Sequence, residues 1–141
     1  MSESPLLKVR NIETFYGPVI AIRGISLDVH KGQIVSILGG NGAGKTTILI
    51  TICVALEPQK GTVIFSSQDI PAWQPDKTAK LGMGHVPEGR EVFPFLTVKE
   101  NLEMGAYNRK EKNEIDSDLE MVFHYFPDLK NKINIQAVLL S

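Results

Sequence analysis

Ile34-Val-Ser-Ile-Leu38-Gly39-Gly-Asn-Gly-Ala-Gly44-Lys45-Thr46-Thr47 joins three kinds of chemistry in one stretch. Its first five residues are nearly all apolar, the composition of a central strand buried on both faces. The next eight fit the spacing G-x-x-x-x-G-K-[ST] at every fixed position. Glycines let backbone N–H groups close around phosphate oxygens with no Cβ in the way. A helix starting at Lys45 adds the partial positive charge of its N-terminus. Lys45 contributes a full charge for the β and γ phosphates of a nucleotide, and the Thr46 hydroxyl is placed to ligate Mg²⁺. The candidate nucleotide-binding residues are therefore Gly39, Gly40, Asn41, Gly42, Ala43, Gly44, Lys45, Thr46 and Thr47. A plain glycine-rich turn ahead of a helix explains the loop itself but not the strand before it and the helix after it.

Downstream, residues 45–56 have the composition of a buried helix, with Cys53 a small core residue. Glu57-Pro58-Gln59-Lys60-Gly61 ends that helix, and Thr62-Val-Ile-Phe65 reads as a short strand. Upstream, Lys31-Gly32 is a turn. Residues 19–29 alternate, with Ile20, Ile22, Ile25, Leu27 and Val29 apolar, as one or two half-buried strands broken near Gly24. Leu6-Leu-Lys-Val-Arg10 reads as another short strand. Residues 66–96 are loop-rich, with a short helix predicted at 76–81 and closed by Gly82. A short strand is predicted at Met83-Gly-His-Val86, and Trp73 is assigned only the role of a loop anchor.

The second half changes character. Thr97-Val-Lys-Glu100 is a capping box, in which the Thr97 hydroxyl accepts from the third helical N–H and Glu100 reaches back. A helix to about Tyr107 follows, then a charged linker containing Arg109. Ile115, Leu119, Val122, Phe123 and Phe126 fall on one helical face, and Pro127 stops that helix. His124 on it reads as a packed or solvated side chain. The pattern gives a mixed β and α/β nucleotide-binding part over residues 1–96 and a helical part over residues 97–141.

The 141 residues include 15 Lys and Arg against 16 Asp and Glu, a net charge of −1, which argues against nucleic acid as a partner. No apolar run approaches the ~20 residues that span a bilayer. The first residues lack the pattern of a signal peptide. The single cysteine forms no internal disulfide, and a cytoplasmic setting is expected. A membrane connection would run through a partner.

The flanks of the glycine-rich loop are more specific than the loop. Phe15-Tyr16-Gly17, Gly24-Ile-Ser-Leu27, Gly32-Gln-Ile-Val35, Pro58-Gln-Lys-Gly61 and Phe93-Pro-Phe-Leu-Thr-Val-Lys-Glu-Asn-Leu102, together with the loop, resemble the ABC ATPase family. His85-Val-Pro-Glu-Gly-Arg90 and Asn101-Leu-Glu-Met-Gly-Ala106 resemble the ATP-binding subunits of branched-chain amino-acid importers. The resemblance implies an α/β fold of the P-loop NTPase, ABC ATPase type: an N-terminal antiparallel β part, a RecA-like core and part of a helical subdomain. It implies ATP and Mg²⁺ as cofactors. It implies transmembrane permease subunits and a second ATPase subunit as partners, and a place on the inner face of the cell membrane. By the same resemblance Tyr16 stacks on adenine. Glu88 stands where most of the superfamily has a glutamine that senses Mg²⁺ and the attacking water; a carboxylate there can still ligate the metal. The Phe93-Pro-Phe95 run is open to either a membrane partner or local packing.

One departure is large. Leu140-Ser141 aligns with the start of the family's signature motif, and residues 1–141 include neither the rest of it nor the Walker B aspartate, catalytic glutamate and switch histidine that follow. The expectation for this polypeptide is an incomplete domain that is catalytically inactive, alongside the family reading of an importer ATPase. Soluble members acting in translation or DNA repair normally carry a second ATPase half or a long inserted arm, and neither is present in this sequence.

Overall fold

The computed structural model describes residues 4–53, 56–70, 75–89 and 91–140. Trp73, Arg90, Ser141 and the Val54-Ala55 pair of the expected first helix lie outside them. The chain divides into two units between His85 and Val86.

In the first unit, strand β1 (Leu7–Tyr16) pairs antiparallel with β2 (Val19–Val29) on one side and with β3 (Lys60–Phe65) on the other. The two-residue strand β4 (Gln68–Asp69) completes the order β2-β1-β3-β4. β1 continues well past the predicted Arg10. Its alternation is interrupted at Asn11, which takes φ +50° in the left-handed region, and the register with β2 shifts between Val9 and Ile12. The shift is a bulge: the Asn11 N–H donates to Ser26 Oγ at 2.8 Å instead of to the ladder. Beyond it the buried side resumes at Ile12 and Thr14. β2 is one continuous strand through Gly24, whose φ is +67°. Arg10 and Asp28 form an ion pair across β1 and β2, and Lys60 pairs with Glu13 across β3 and β1.

Helix α1 (Lys45–Ile52) buries Thr47, Ile48, Thr51 and Ile52. Ile48 and Ile52 join Val9, Ile12, Ile22 and Val63 of the sheet in one core, with Ile37 and Met83 at its margin. Helix α2 (Pro75–Lys80) is followed by Gly82 at φ +93°, the expected left-handed stop.

Two strand expectations fail. Residues 34–38 form no strand; Ile34 is 97% and Leu38 90% exposed, and only Ile37 touches the core. Apolar composition expresses a demand for burial, but a strand also needs a neighbour for its N–H and C=O groups. Among the described residues no strand pairs with this segment. Residues 83–86 are likewise irregular.

In the second unit, α3 (Val98–Gly105) carries the complete capping box. The Thr97 hydroxyl accepts from the Glu100 N–H at 3.2 Å, and the Thr97 N–H donates to Glu100 Oε2 at 2.7 Å. Helix α4 (Lys112–Tyr125) buries Phe123 and half-buries Ile115, Leu119 and Val122. Phe126 is exposed, contrary to the predicted face, because the helix has already ended there at φ −131°, ψ 70°. Pro127 does more than stop α4: it opens α5 (Pro127–Asn131) from the first helical position, where its missing N–H costs nothing. The segment after α5 returns to the start of α3. Val98 N–H donates to Ile135 O, Ala137 N–H to Leu96 O and Val138 N–H to Pro94 O, each within 3.0 Å. A single-turn 3₁₀ helix follows at Ala137–Leu139.

Candidate functional site

The glycine-rich loop lies in the first unit, between the exposed residues 34–38 and α1. Gly44 is the residue before the helix and takes φ +86°, a conformation that L side chains rarely hold. A Cβ at Gly44 would lie 2.7 Å from Ile22 Cγ2 and 3.0 Å from the Ala21 carbonyl oxygen. The loop therefore lies directly against β2, and only glycine fits the approach.

Helix α1 starts without a side-chain cap. Its first internal bond of this turn runs from Ile48 N–H to Gly44 O at 2.9 Å. The N–H groups of Lys45, Thr46 and Thr47 have no protein acceptor among the described residues. Three unsatisfied donors at the positive end of a helix are the arrangement that an anion can satisfy. The Lys45 ammonium folds back over the loop and donates to the Gly39 oxygen at 2.9 Å and the Gly40 oxygen at 2.6 Å. The loop's carbonyls thus hold the cation over the loop. The Thr46 side chain is exposed, one residue into the helix, while Thr47 turns into the core. Of the two threonines, only Thr46 is open to a ligand from solvent. Asn41, Gly42 and Ala43 form the exposed turn of the loop, closed by Ala43 N–H to Gly40 O at 3.3 Å.

Tyr16 ends β1 and pairs with Val19 across the Gly17-Pro18 turn. It is 52% exposed. It lies two residues beyond Thr14, past a register shift between Thr14 and Phe15. Thr14, the register partner of Ile22, is fully buried and shares a hydrogen bond of 3.1 Å with the hydroxyl of Thr51 in α1. Sequence reading missed this pair, since its members lie 37 residues apart and neither belongs to a motif.

Glu88 is exposed in a bend of the second unit. Among the described residues no three His, Cys, Asp or Glu side chains cluster as a metal site. Asn101 was read only as part of a motif run; its amide donates to the oxygens of Phe93, Leu96 and Thr97, and its carbonyl accepts from the Phe93 N–H. It thereby fixes the turn that leaves Phe93 and Phe95 exposed. Cys53 is half-buried, and burial raises its thiol pKa. No helix among the described residues is long and apolar enough to cross a membrane.

Residues 22–137 match the family profile described as ABC transporter. The high-affinity branched-chain amino acid transport ATP-binding protein BraG of Pseudomonas aeruginosa is 33% identical over 136 residues, covering 96% of this chain and 58% of that protein. The Fe(3+) ions import ATP-binding protein FbpC of Fusobacterium nucleatum is 36% identical over 121 residues, 82% of this chain and 32% of its own. The chain therefore spans less than two thirds of either relative. A dimeric, post-hydrolysis structure of the ATP-binding cassette MJ0796 bound to ADP and Pi superposes with a TM-score of 0.75 at 24% identity. It covers 92% of this chain and 61% of that one, and the likeness is one of fold.

Proposed function

Because the chain belongs to the ABC transporter ATPase family, we propose that residues 39–47 bind the phosphates of ATP, with Tyr16 as the platform for adenine. The observation that carries this reading is the trio of unsatisfied N–H groups at Lys45, Thr46 and Thr47 together with the Lys45 ammonium over the loop. In this reading the ammonium keeps its contact with the loop and adds phosphate oxygens as acceptors. The Thr46 hydroxyl would supply one oxygen ligand to Mg²⁺. Bound Mg²⁺ would neutralise phosphate charge. Calorimetric titration with MgATP tests the reading. Charge-assisted bonds are worth about 1.5–3 kcal/mol each, so Lys45→Ala should weaken binding by at least about tenfold. Equal affinity in the two proteins would overturn it.

The finer proposal is the ATP-binding subunit of an importer for branched-chain amino acids. It works from the cytoplasmic face beside transmembrane permease subunits and a second ATPase subunit. The match to BraG over nearly the whole chain supports it, as do the His85–Arg90 and Asn101–Ala106 runs. The dimeric cassette of like fold supports the pairing of two ATPase subunits. The similarity to an iron-import protein defines the competing substrate. Co-purification of this protein with the permease subunits of a leucine importer and with those of an iron importer separates the two without requiring turnover. Capture by the iron permease alone would refute the amino-acid assignment.

For the 141-residue polypeptide taken by itself, the proposal is binding without turnover. In-line attack needs a positioned water and a general base, and the residues that the family resemblance assigns to those tasks are not among residues 1–141. Phosphate release should equal that of a Lys45→Ala control, and steady release above it would contradict the proposal.

A further inference from the structure

Helix α1 is fastened to the β1–β2 hairpin at two places. At its start, Gly44 lies against Ile22 and the Ala21 carbonyl. Toward its end, Thr51 shares a hydrogen bond with Thr14. Thr14 and Ile22 are register partners, so both fastenings fall on one rung of the hairpin. The contacts of Ile48 and Ile52 with the sheet are non-directional and prescribe no bonding geometry between helix and strand. The hydroxyl pair does not: it is fully buried, neither hydroxyl can turn to water, and the bond requires a definite approach of helix and strand. Tyr16 lies two residues beyond Thr14 on the same strand. Among the described residues, the Thr14–Thr51 bond is thus the one side-chain hydrogen bond between the strand that carries Tyr16 and the helix that opens with the loop donors.

We infer that Thr14 and Thr51 are positioning residues that set the adenine platform in register with the phosphate loop, so that they select an adenosine triphosphate over a bare triphosphate. The inference rests on the reading of Tyr16 as the base platform. A bare triphosphate occupies only the loop and is indifferent to the spacing between loop and Tyr16. ATP bridges both and is sensitive to it.

Calorimetric titrations of the chain with MgATP and with magnesium tripolyphosphate test this, with melting temperatures measured alongside. Thr51→Val should weaken MgATP about fivefold to tenfold, the scale of one buried hydrogen bond, and leave tripolyphosphate within about twofold. Thr51→Ser, which keeps the hydroxyl, should retain both affinities. Thr14→Val should reproduce Thr51→Val. The double valine variant should be no weaker than either single one, because all remove the same bond. It also buries no unpaired hydroxyl, so it carries the comparison if a single variant fails to fold. With Tyr16→Ala already present, Thr51→Val should change MgATP affinity no further. Equal loss of both ligands, or no loss of MgATP, would overturn the inference while leaving Tyr16 in place. A silent Tyr16→Ala would instead remove the base platform, and this inference with it.

Discussion

Gly44 carries the tightest constraint in the candidate site. Its φ of +86° and the 2.7 Å that a Cβ would leave to Ile22 act together, so Gly44→Ala must both strain the backbone and push β2 away. Strain of this kind costs about 1–3 kcal/mol. The expected result is a melting temperature lower by several degrees, about 4–8 °C per kcal/mol for a small domain, and weaker nucleotide binding. An unchanged melting curve would show that the loop is free of β2. Tyr16 is the opposite case, half-exposed at the end of its strand and removable without emptying the core. Tyr16→Ala should weaken MgATP by about 1–3 kcal/mol, the range for a base stacked on an aromatic ring, with the melting temperature held. Tyr16→Phe should bind as the wild type does. A tyrosine needed for structure would reverse that pattern, lowering stability and sparing affinity.

At the scale of elements, α3 offers a prediction about pH. The Thr97 backbone N–H, and then its hydroxyl, donate to the Glu100 carboxylate and hold its pKa below the usual glutamate range. A carboxyl lowered in the folded state stabilises that state above its unfolded pKa of about 4.3. The contribution fades as pH falls through the lower folded value. Melting temperatures of the wild type and Glu100→Gln should therefore differ near neutral pH and converge as pH falls through the lowered folded value; a constant difference would show that the carboxylate charge does not support the cap. Thr97→Ala, which removes the cap itself, should cost about 1 kcal/mol at neutral pH. This cap was legible in the sequence because all its members lie within four residues. Less local features were not. Asn11 resets the alternation of β1 through a bulge, so a period-two reading stops at Arg10 while the strand runs on to Tyr16. Phe126 continues the apolar spacing of α4, but the backbone leaves the helix there and the ring faces solvent. In the candidate site the loop residues were legible from spacing alone. The approach of Gly44 to β2 and the Thr14–Thr51 bond join distant parts of the chain, and nothing in either local pattern announces them.

For the molecule as a whole, residues 34–38 are the outstanding surface. Ile34 at 97% and Leu38 at 90% exposure leave large aliphatic side chains in water, beside backbone groups that no strand pairs among the described residues. An apolar segment with open hydrogen-bonding groups seeks another chain. The 141-residue polypeptide should therefore self-associate as concentration rises, measured by sedimentation velocity. Ile34→Lys with Leu38→Lys should shift it toward monomer without lowering the melting temperature, since neither side chain belongs to the core. Monomer at every concentration would show that the segment is covered in solution.

The contrast between Gly44 and its neighbour Gly40 gives the loop a further use. A Cβ at Gly40 meets no atom within 4 Å and no unusual φ is required there, so the fold has no stake in that position. A library of loop variants sorted for stability alone should fix glycine at position 44 and accept alanine at 40. The same library sorted for nucleotide capture should also reject alanine wherever phosphate presses on the backbone. Subtracting the first tolerance profile from the second would draw the footprint of the bound molecule from sequence counts alone.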